Sequence, residues 1–217
     1  MDSHAVLLCA ASYLSGGIPS GYLIARWAKG IDIREHGSGN PGAANVYRVV
    51  GRWAGWGTLT IDALKGFLPV MAAKQAYADR PEVLVACGAA AIVGHIWTVF
   101  LRFRGGKGVA TSCGVFAALL PLPTLFSFLV FIAAVAATGH ISVGSMLAAL
   151  VVPILSVALR QPAPYSAMSA VVAALILVKH IPNIRRLLDR RELAFQDGTG
   201  KPPMPKAAEP EDANKRR

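Results

Sequence analysis

Charge is scarce in this chain. Only 16% of its 217 residues are charged and 54% are hydrophobic, whereas a soluble domain carries about 25% charged residues. That deficit excludes an ordinary soluble domain. Acidic residues are fewer, 12 against 22 Lys and Arg, and none are clustered within the apolar runs or the connections between them. The carboxylates that would hold the catalytic metal ions of a membrane lipid synthase are therefore missing, and no metal or other cofactor is implied. The three cysteines, Cys9, Cys87 and Cys113, lie in apolar stretches without metal-ligand spacing, which reads as small buried hydrophobes with free thiols. No His is followed five positions later by Asp, so the common membrane acyltransferase pair of that spacing is absent. No Ser carries glycines at both nucleophile-elbow positions. Gly106-Lys107 is followed by Gly108 rather than Ser or Thr, and Leu101 stands where a nucleotide P-loop needs its first Gly, which excludes an ATPase. Before the first apolar run there is neither a basic segment nor a small-residue cleavage signal, so that run reads as a retained helix.

What is abundant is apolar length. Seven runs, Ala5–Arg26, Trp53–Ala73, Val83–Leu101, Val109–Leu120, Thr124–Thr138, Val143–Leu159 and Pro164–Val178, alternate with short polar connections. About 20 apolar residues suffice to cross a bilayer as a helix. The fourth and fifth runs are short and are separated by Pro121-Leu122-Pro123, so they read either as two half-length helices or as one broken crossing. The pattern predicts an all-α integral membrane protein of about seven helices, with residues 1–194 as one membrane domain. Residues 195–217, polar and Pro-rich, are expected to be a disordered tail.

Lys and Arg set the orientation, because basic loops stay in the cytoplasm. With the N-terminus outside, 18 of the 22 basic residues fall on the cytoplasmic side; Lys74, Arg80 and Arg160 are left outside, and Lys65 lies within a run. The C-terminus is then cytoplasmic. The formal net charge of +10 is explained by basic loops beside anionic lipid headgroups, and nucleic acid is not expected as a partner.

The inner connections are rich in groups suited to a phosphate. Glu35 to Arg48 reads EHGSGNPGAANVYR. Its glycines, Gly42 among them, let the backbone point amides at one spot. Ser38, Asn40 and Asn45 add neutral donors, and Arg48 adds a planar cation. The second connection, FLRFRGGKGVAT, brackets Lys107 with Gly105, Gly106 and Gly108 just before an apolar helix, where a helix N-terminus favours an anion. Ser142 and Ser145 share a helical face, as do His180 and Asn183. Pro182 is expected to end or kink the last helix. Asp62 and Lys65, three apart inside the second run, read as a self-neutralising structural pair ahead of a catalytic one. His95 either orients the glycine loop or caps its helix. These features admit an enzyme acting on phosphorylated substrates at the membrane, or a transporter or binder of phosphorylated anions. The transporter would want polar residues along a path through the bilayer and often a repeated half; no repeat is seen.

The segments GGIPSGYLIAR, HGSGNPGAANVYR, DALKG, GHIWTVFLRFRGGKGVAT, ISVGS and HIPNIRRLL, in this order from Gly16 to Leu188, closely resemble the acyl-phosphate-dependent glycerol-3-phosphate acyltransferase family, PlsY. The resemblance implies seven transmembrane helices in a bacterial cytoplasmic (inner) membrane. It also implies transfer of a fatty acyl group from acyl phosphate to glycerol 3-phosphate at the cytoplasmic face, giving lysophosphatidic acid and phosphate in phospholipid synthesis. By the same resemblance Ser38, Asn40 and Arg48 carry the first motif, Lys107 and its glycines the second, and Ser142, His180 and Asn183 the third. On this reading Lys107 and nearby amides hold the acyl phosphate, Arg48, Ser38 and His180 hold glycerol 3-phosphate, and Asn183 orders the site. Membrane lipids are the remaining partners. Two positions depart from the family: Ala44 where Thr is common, and Pro182 where Glu is common.

Overall fold

The computed structural model describes residues 1–195. The expected tail therefore lies outside the described residues, apart from Phe195. Among the described residues there are ten α-helices: α1 (Ser3–Gly17), α2 (Ser20–Lys29), α3 (Ala43–Val49), α4 (Arg52–Tyr77), α5 (Pro81–Ile96), α6 (Val109–Leu119), α7 (Pro121–Thr138), α8 (Ile141–Ala158), α9 (Ala163–Lys179) and α10 (Ile181–Leu188). Each of the seven apolar runs is helical. The first is divided at Ile18-Pro19 into α1 and α2, because Pro19 supplies no amide for the ladder. The fourth and fifth are separate helices that meet at Leu120, whose non-helical backbone (φ −134°, ψ 62°) ends α6 just before the prolines that open α7.

Four stretches are long and apolar enough to cross a bilayer by length and composition: Ser3–Lys29, Pro81–Leu101, Pro121–Thr138 and Ile141–Ala158; α9 and α10 make a fifth if that bent pair counts as one span. The other two runs differ for opposite reasons. α4 is long, at 26 residues, but carries Asp62, Lys65 and Lys74. α6 has only 11 residues, about 16 Å at 1.5 Å per residue.

α5 is the centre of the bundle, packed on α1, α4, α6 and α9. Its contact with α1 is backbone to backbone: a Cβ on Gly16 would lie 2.0 Å from the Ala91 carbonyl, and one on Gly94 2.1 Å from that of Tyr13. α4 and α6 meet in the same way through Gly66 and Gly114. Such close approach by small residues is how helices gain contact where lipid removes the hydrophobic incentive to associate. Leu84, Ile92, Ile96, Val115, Leu119 and Ile176 fill the space between. The outward faces of α7, α8 and α9 expose Leu129, Ile132, Ile154 and Val171, as lipid contact requires. The resulting molecule is an all-α integral membrane protein. α9 and α10 meet at a bend of 50° at His180. Pro182 lies in the first turn of α10, where its missing amide is harmless.

Candidate active site

The chain's polar side chains converge on a cavity of about 140 Å³ at one end of the bundle. The loop between α2 and α3, the loop between α5 and α6, the start of α8 and the α9–α10 bend all reach it. Of the residues singled out from the sequence, Ser38, Asn40, Gly42, Asn45, Arg48, Lys107, Gly108, Ser142, His180 and Asn183 line it, and so do Asp62, His95 and Ser145.

The first loop is shaped by its asparagines. Asn45, 1% exposed, accepts from the Ser38 amide (2.9 Å) and donates to the carbonyls of Ile33 (3.2 Å) and His36 (2.9 Å). Asn40 accepts from the Gly42 amide (2.9 Å). The Asn45 side chain is thus spent on holding the loop, whereas Asn40 uses only its oxygen for it. Gly37 and Gly39 take φ of +60° and +71°, a region that costs other residues about 1–2 kcal/mol. Arg48 projects from α3 across the cavity mouth and donates to the carbonyls of Leu193 (3.2 Å) and Ala194 (3.3 Å). Burial lowers its pKa, yet a guanidinium stays charged.

The second loop corrects one expectation. Gly105 and Gly106 do not turn their amides toward the cavity. These donate instead to the carbonyls of Ile96 (3.1 Å) and His95 (3.2 Å), closing the loop onto the end of α5. Both glycines are required by space: a Cβ on Gly105 would lie 2.0 Å from the His95 carbonyl, and one on Gly106 2.3 Å from His95 Nε2. Gly108 (φ +84°) caps α6, whose first-turn amides have no intrahelical acceptor and whose residues Val109 and Ala110 line the cavity.

Lys107 donates from Nζ to Asn183 Oδ1. Burial pulls its pKa down to about 8; Glu192 opposes this and Arg186 and Arg48 reinforce it. Asn183 in turn donates to Glu192 Oε1 (2.5 Å), while Arg186 Nε contacts Glu192 Oε2 (2.7 Å). Burial pushes the Glu192 carboxyl up, but the hydrogen bonds from Asn183 and Arg186 outweigh it and hold the group below the usual carboxylate range. His180 is 2% exposed, and its Nδ1 lies 2.8 Å from the Ile176 carbonyl. A carbonyl only accepts, so Nδ1 carries the proton and a neutral ring leaves Nε2 as an acceptor. The buried hydroxyl of Ser142 lines the cavity and has no hydrogen-bond partner among the described residues. Ser145, on the same face, donates to Ile141 (2.9 Å).

Glu192, Arg186 and Leu193 also line the cavity and were not singled out from the sequence. The available signal was a lone carboxylate nine residues beyond Asn183 in a basic stretch. The two departures from the family separate cleanly. Ala44 faces the cavity, whereas Pro182 is exposed and does not line it.

A second cavity of about 130 Å³ adjoins the first and shares Leu59, Val109, Ala110, Phe131 and Ser145 with it. Its walls run from Val109 to Phe116 on α6, Thr124 to Phe131 on α7, Ser145 to Val152 on α8 and Ser169 to Ile176 on α9. Each stretch advances seven residues, about 10 Å. Thr124, Ser127 and Ser169 turn their hydroxyls to the carbonyls of Leu120, Ala148 and Ser166, which leaves the lining largely apolar, with the Ser112 hydroxyl unbonded among the described residues.

A polar cavity lined by three half-buried cations, Arg48, Lys107 and Arg186, and adjoining an apolar groove fits an amphiphilic phosphorylated substrate. The family described as Glycerol-3-phosphate acyltransferase matches residues 6–190. The chain belongs to this family. A glycerol-3-phosphate acyltransferase of Geobacter sulfurreducens is 46% identical over 88% of this chain and 97% of the relative. One of Myxococcus xanthus is 44% identical over 90% of this chain and the whole relative. Among solved structures, the integral membrane glycerol 3-phosphate acyltransferase PlsY (YgiH) in its glycerol 3-phosphate form superposes with a TM-score of 0.86 at 39% identity, covering 89% of this chain and 96% of that one. Its lysophosphatidic acid form gives 0.83 at 38% identity, covering 90% and 97%.

Proposed function

We propose that this member of the family transfers a fatty acyl group from acyl phosphate to glycerol 3-phosphate, releasing lysophosphatidic acid and inorganic phosphate. The observation that carries the reading is the junction of the two cavities. Val109 and Ala110, in the first turn of α6, line both spaces, and Lys107, just before them in the chain, lines the polar one. A phosphate held there places its acyl chain along the groove, where each buried methylene contributes about 0.8 kcal/mol. Ser38 and Arg48, across the polar cavity, are left for glycerol 3-phosphate. The solved relative in its glycerol 3-phosphate and lysophosphatidic acid forms supports the same acceptor and product.

An acyl phosphate is a mixed anhydride, already activated, so no covalent enzyme intermediate is needed. The 1-hydroxyl of glycerol 3-phosphate attacks the carbonyl carbon, the C–O bond to phosphate breaks, and phosphate leaves with the electron pair. Holding both phosphates in one water-poor cavity supplies proximity, and Lys107 neutralises the charge that grows on the leaving group. The attacking hydroxyl's proton has two acceptors within the cavity, His180 Nε2 and a phosphate oxygen of the substrates. Retention of most of kcat by His180→Gln assigns it to phosphate; loss of kcat with unchanged KM assigns it to His180.

The orientation we propose puts the N-terminus outside and the site on the cytoplasmic face of a bacterial inner membrane, with seven helical passes in all. The Lys and Arg distribution supports it, because the connections that build the cavity hold the excess. The transporter reading loses ground on the apolar groove, since the polar lining does not continue along a path through the bundle.

The test is incubation of the purified protein in lipid with palmitoyl phosphate and glycerol 3-phosphate, with lysophosphatidic acid quantified by mass spectrometry and Lys107→Ala as control. Product from the intact protein alone supports the reading. Folded protein that makes none, with any acyl donor, overturns it in favour of a binder or transporter.

A further inference from the structure

Most buried hydroxyls of this bundle follow one habit. Those of Ser12, Thr58, Thr124 and Ser145 donate to the carbonyl four residues back, and those of Ser156 and Ser169 to the carbonyl three back. Ser127 reaches across to Ala148 of α8. A helix carbonyl is the partner at hand for a hydroxyl where no water competes. Ser112 and Ser142 break the habit. Each has a buried hydroxyl with no hydrogen-bond partner among the described residues, and each lines a cavity. Ser166 shares the lack but lines neither of the two cavities. Ser142 faces the polar cavity, where a phosphate oxygen supplies an acceptor. Ser112 faces the apolar groove, and the methylenes of a plain acyl chain cannot bond it.

Ser112 is 3% exposed. The carbonyl four residues back, that of Gly108, accepts the Ser112 amide (2.8 Å) and not its hydroxyl. Packing gives no reason for the hydroxyl, because alanine would keep the helix and avoid the cost of burying an unbonded polar group. The residue also stands at a definite depth. Val109 and Ala110 line both cavities, and Ser112 is the next residue of α6 in the groove, about 4.5 Å along the helix from Val109. The far end of the groove is marked by Phe116, Thr124, Val152 and Ser169. A chain whose activated carbonyl sits at the shared rim therefore passes Ser112 within its first few carbons.

We infer that Ser112 is a specificity-determining residue: it hydrogen-bonds a hydroxyl carried close to the carbonyl of the acyl chain, so that 3-hydroxyacyl phosphates are donors alongside unsubstituted ones. A serine hydroxyl both donates and accepts, so it can meet such a group in either sense. The chemistry is otherwise the same, with the glycerol hydroxyl forming the ester and phosphate leaving. This deepens the acyltransferase reading and rests on it.

The test is a pair of competitions in lipid, each with glycerol 3-phosphate as acceptor. In one, 3-hydroxypalmitoyl phosphate competes with palmitoyl phosphate; in the other, 16-hydroxypalmitoyl phosphate does. Mass spectrometry of the two lysophosphatidic acids in each mixture gives the ratio of kcat/KM values, which does not depend on the folded fraction. Wild type uses the 3-hydroxy chain within about threefold of the plain one. Ser112→Ala lowers that ratio about fivefold, as for loss of one neutral hydrogen bond, and leaves the 16-hydroxy ratio within about twofold. Ser112→Cys, of similar bulk but weak in hydrogen bonding, gives the same selective loss.

A 3-hydroxy ratio that neither variant moves, an equal fall in the 16-hydroxy ratio, or wild type that rejects the 3-hydroxy chain more than about tenfold would each overturn the inference. If Ser112→Ala does not fold, Ser112→Cys decides. Wild-type protein that makes no lysophosphatidic acid from any donor sinks the acyltransferase reading itself. Active wild type with ratios that the variants leave alone sinks only the role of Ser112.

Discussion

The polar cavity and the apolar groove beside it are nearly equal in volume, about 140 and 130 Å³, and share a rim, yet they are made in opposite ways. The polar one is assembled mostly from loops and helix ends, with contributions from Ser38 to Leu193. Only there can backbone amides and carbonyls point inward, since helix interiors use theirs. The groove is made on helix faces by withholding volume: Ala110, Ala148, Ala149, Ser169 and Ala173 stand where larger side chains would close the bundle. One cavity is specified by the groups present and the other by the bulk that is missing.

That contrast can be broken most severely at Lys107. Lys107→Ala should lower kcat/KM for palmitoyl phosphate by about 10²–10³, as for loss of one preorganised charge-stabilising donor; steady-state assay of the folded variant checks it, and a loss under about fivefold places the donor phosphate elsewhere. The same residue sets a pH limit. Its pKa is lowered from 10.5 to about 8, so the required ammonium is present below that pH, and kcat/KM should fall about tenfold per unit above it. A profile flat to pH 10 would mean that Lys107 is not needed in its charged form.

The groove is tested by restoring volume. Ala149→Phe should lower kcat/KM for palmitoyl phosphate about tenfold and leave butyryl phosphate within about twofold; an equal loss for both would remove the chain from this groove. The smallest effect is expected at Pro182→Glu, the family's common residue at an exposed position. Both KM values should stay within about twofold of the parent, measured side by side.

The polar cavity was largely legible in the sequence because its residue types are rare among apolar runs. Lys107, Arg48, His180 and Asn183 stood out for that reason, and each lines the cavity. The roles within the set were less legible. Asn45 was read as a donor to a ligand and is fully occupied by Ser38, Ile33 and His36. Gly105 and Gly106 were read as bare amides and are pressed against His95. Glu192 passed unnoticed because a carboxylate among basic residues near a polar tail looks like solvated surface until its bonds to Asn183 and Arg186 are seen. The groove gave no sequence signal, since Ala and Ser on a membrane helix look the same whether they pack a neighbour or border a hollow.

By itself the sequence determined the chemical inventory: helical runs too apolar for water, basic connections between them, and two phosphate-suited loops. These follow from local composition and period, which any window of the chain displays. Only the tertiary structure decided which groups face each other. It joined Glu192 to Asn183 and Arg48 to the segment after α10, and it placed Asp62 of α4 beside His95 of α5. The physical reason is that hydrogen bonds and ion pairs act over about 3–4 Å, and residues dozens of positions apart reach that distance only when helices have packed.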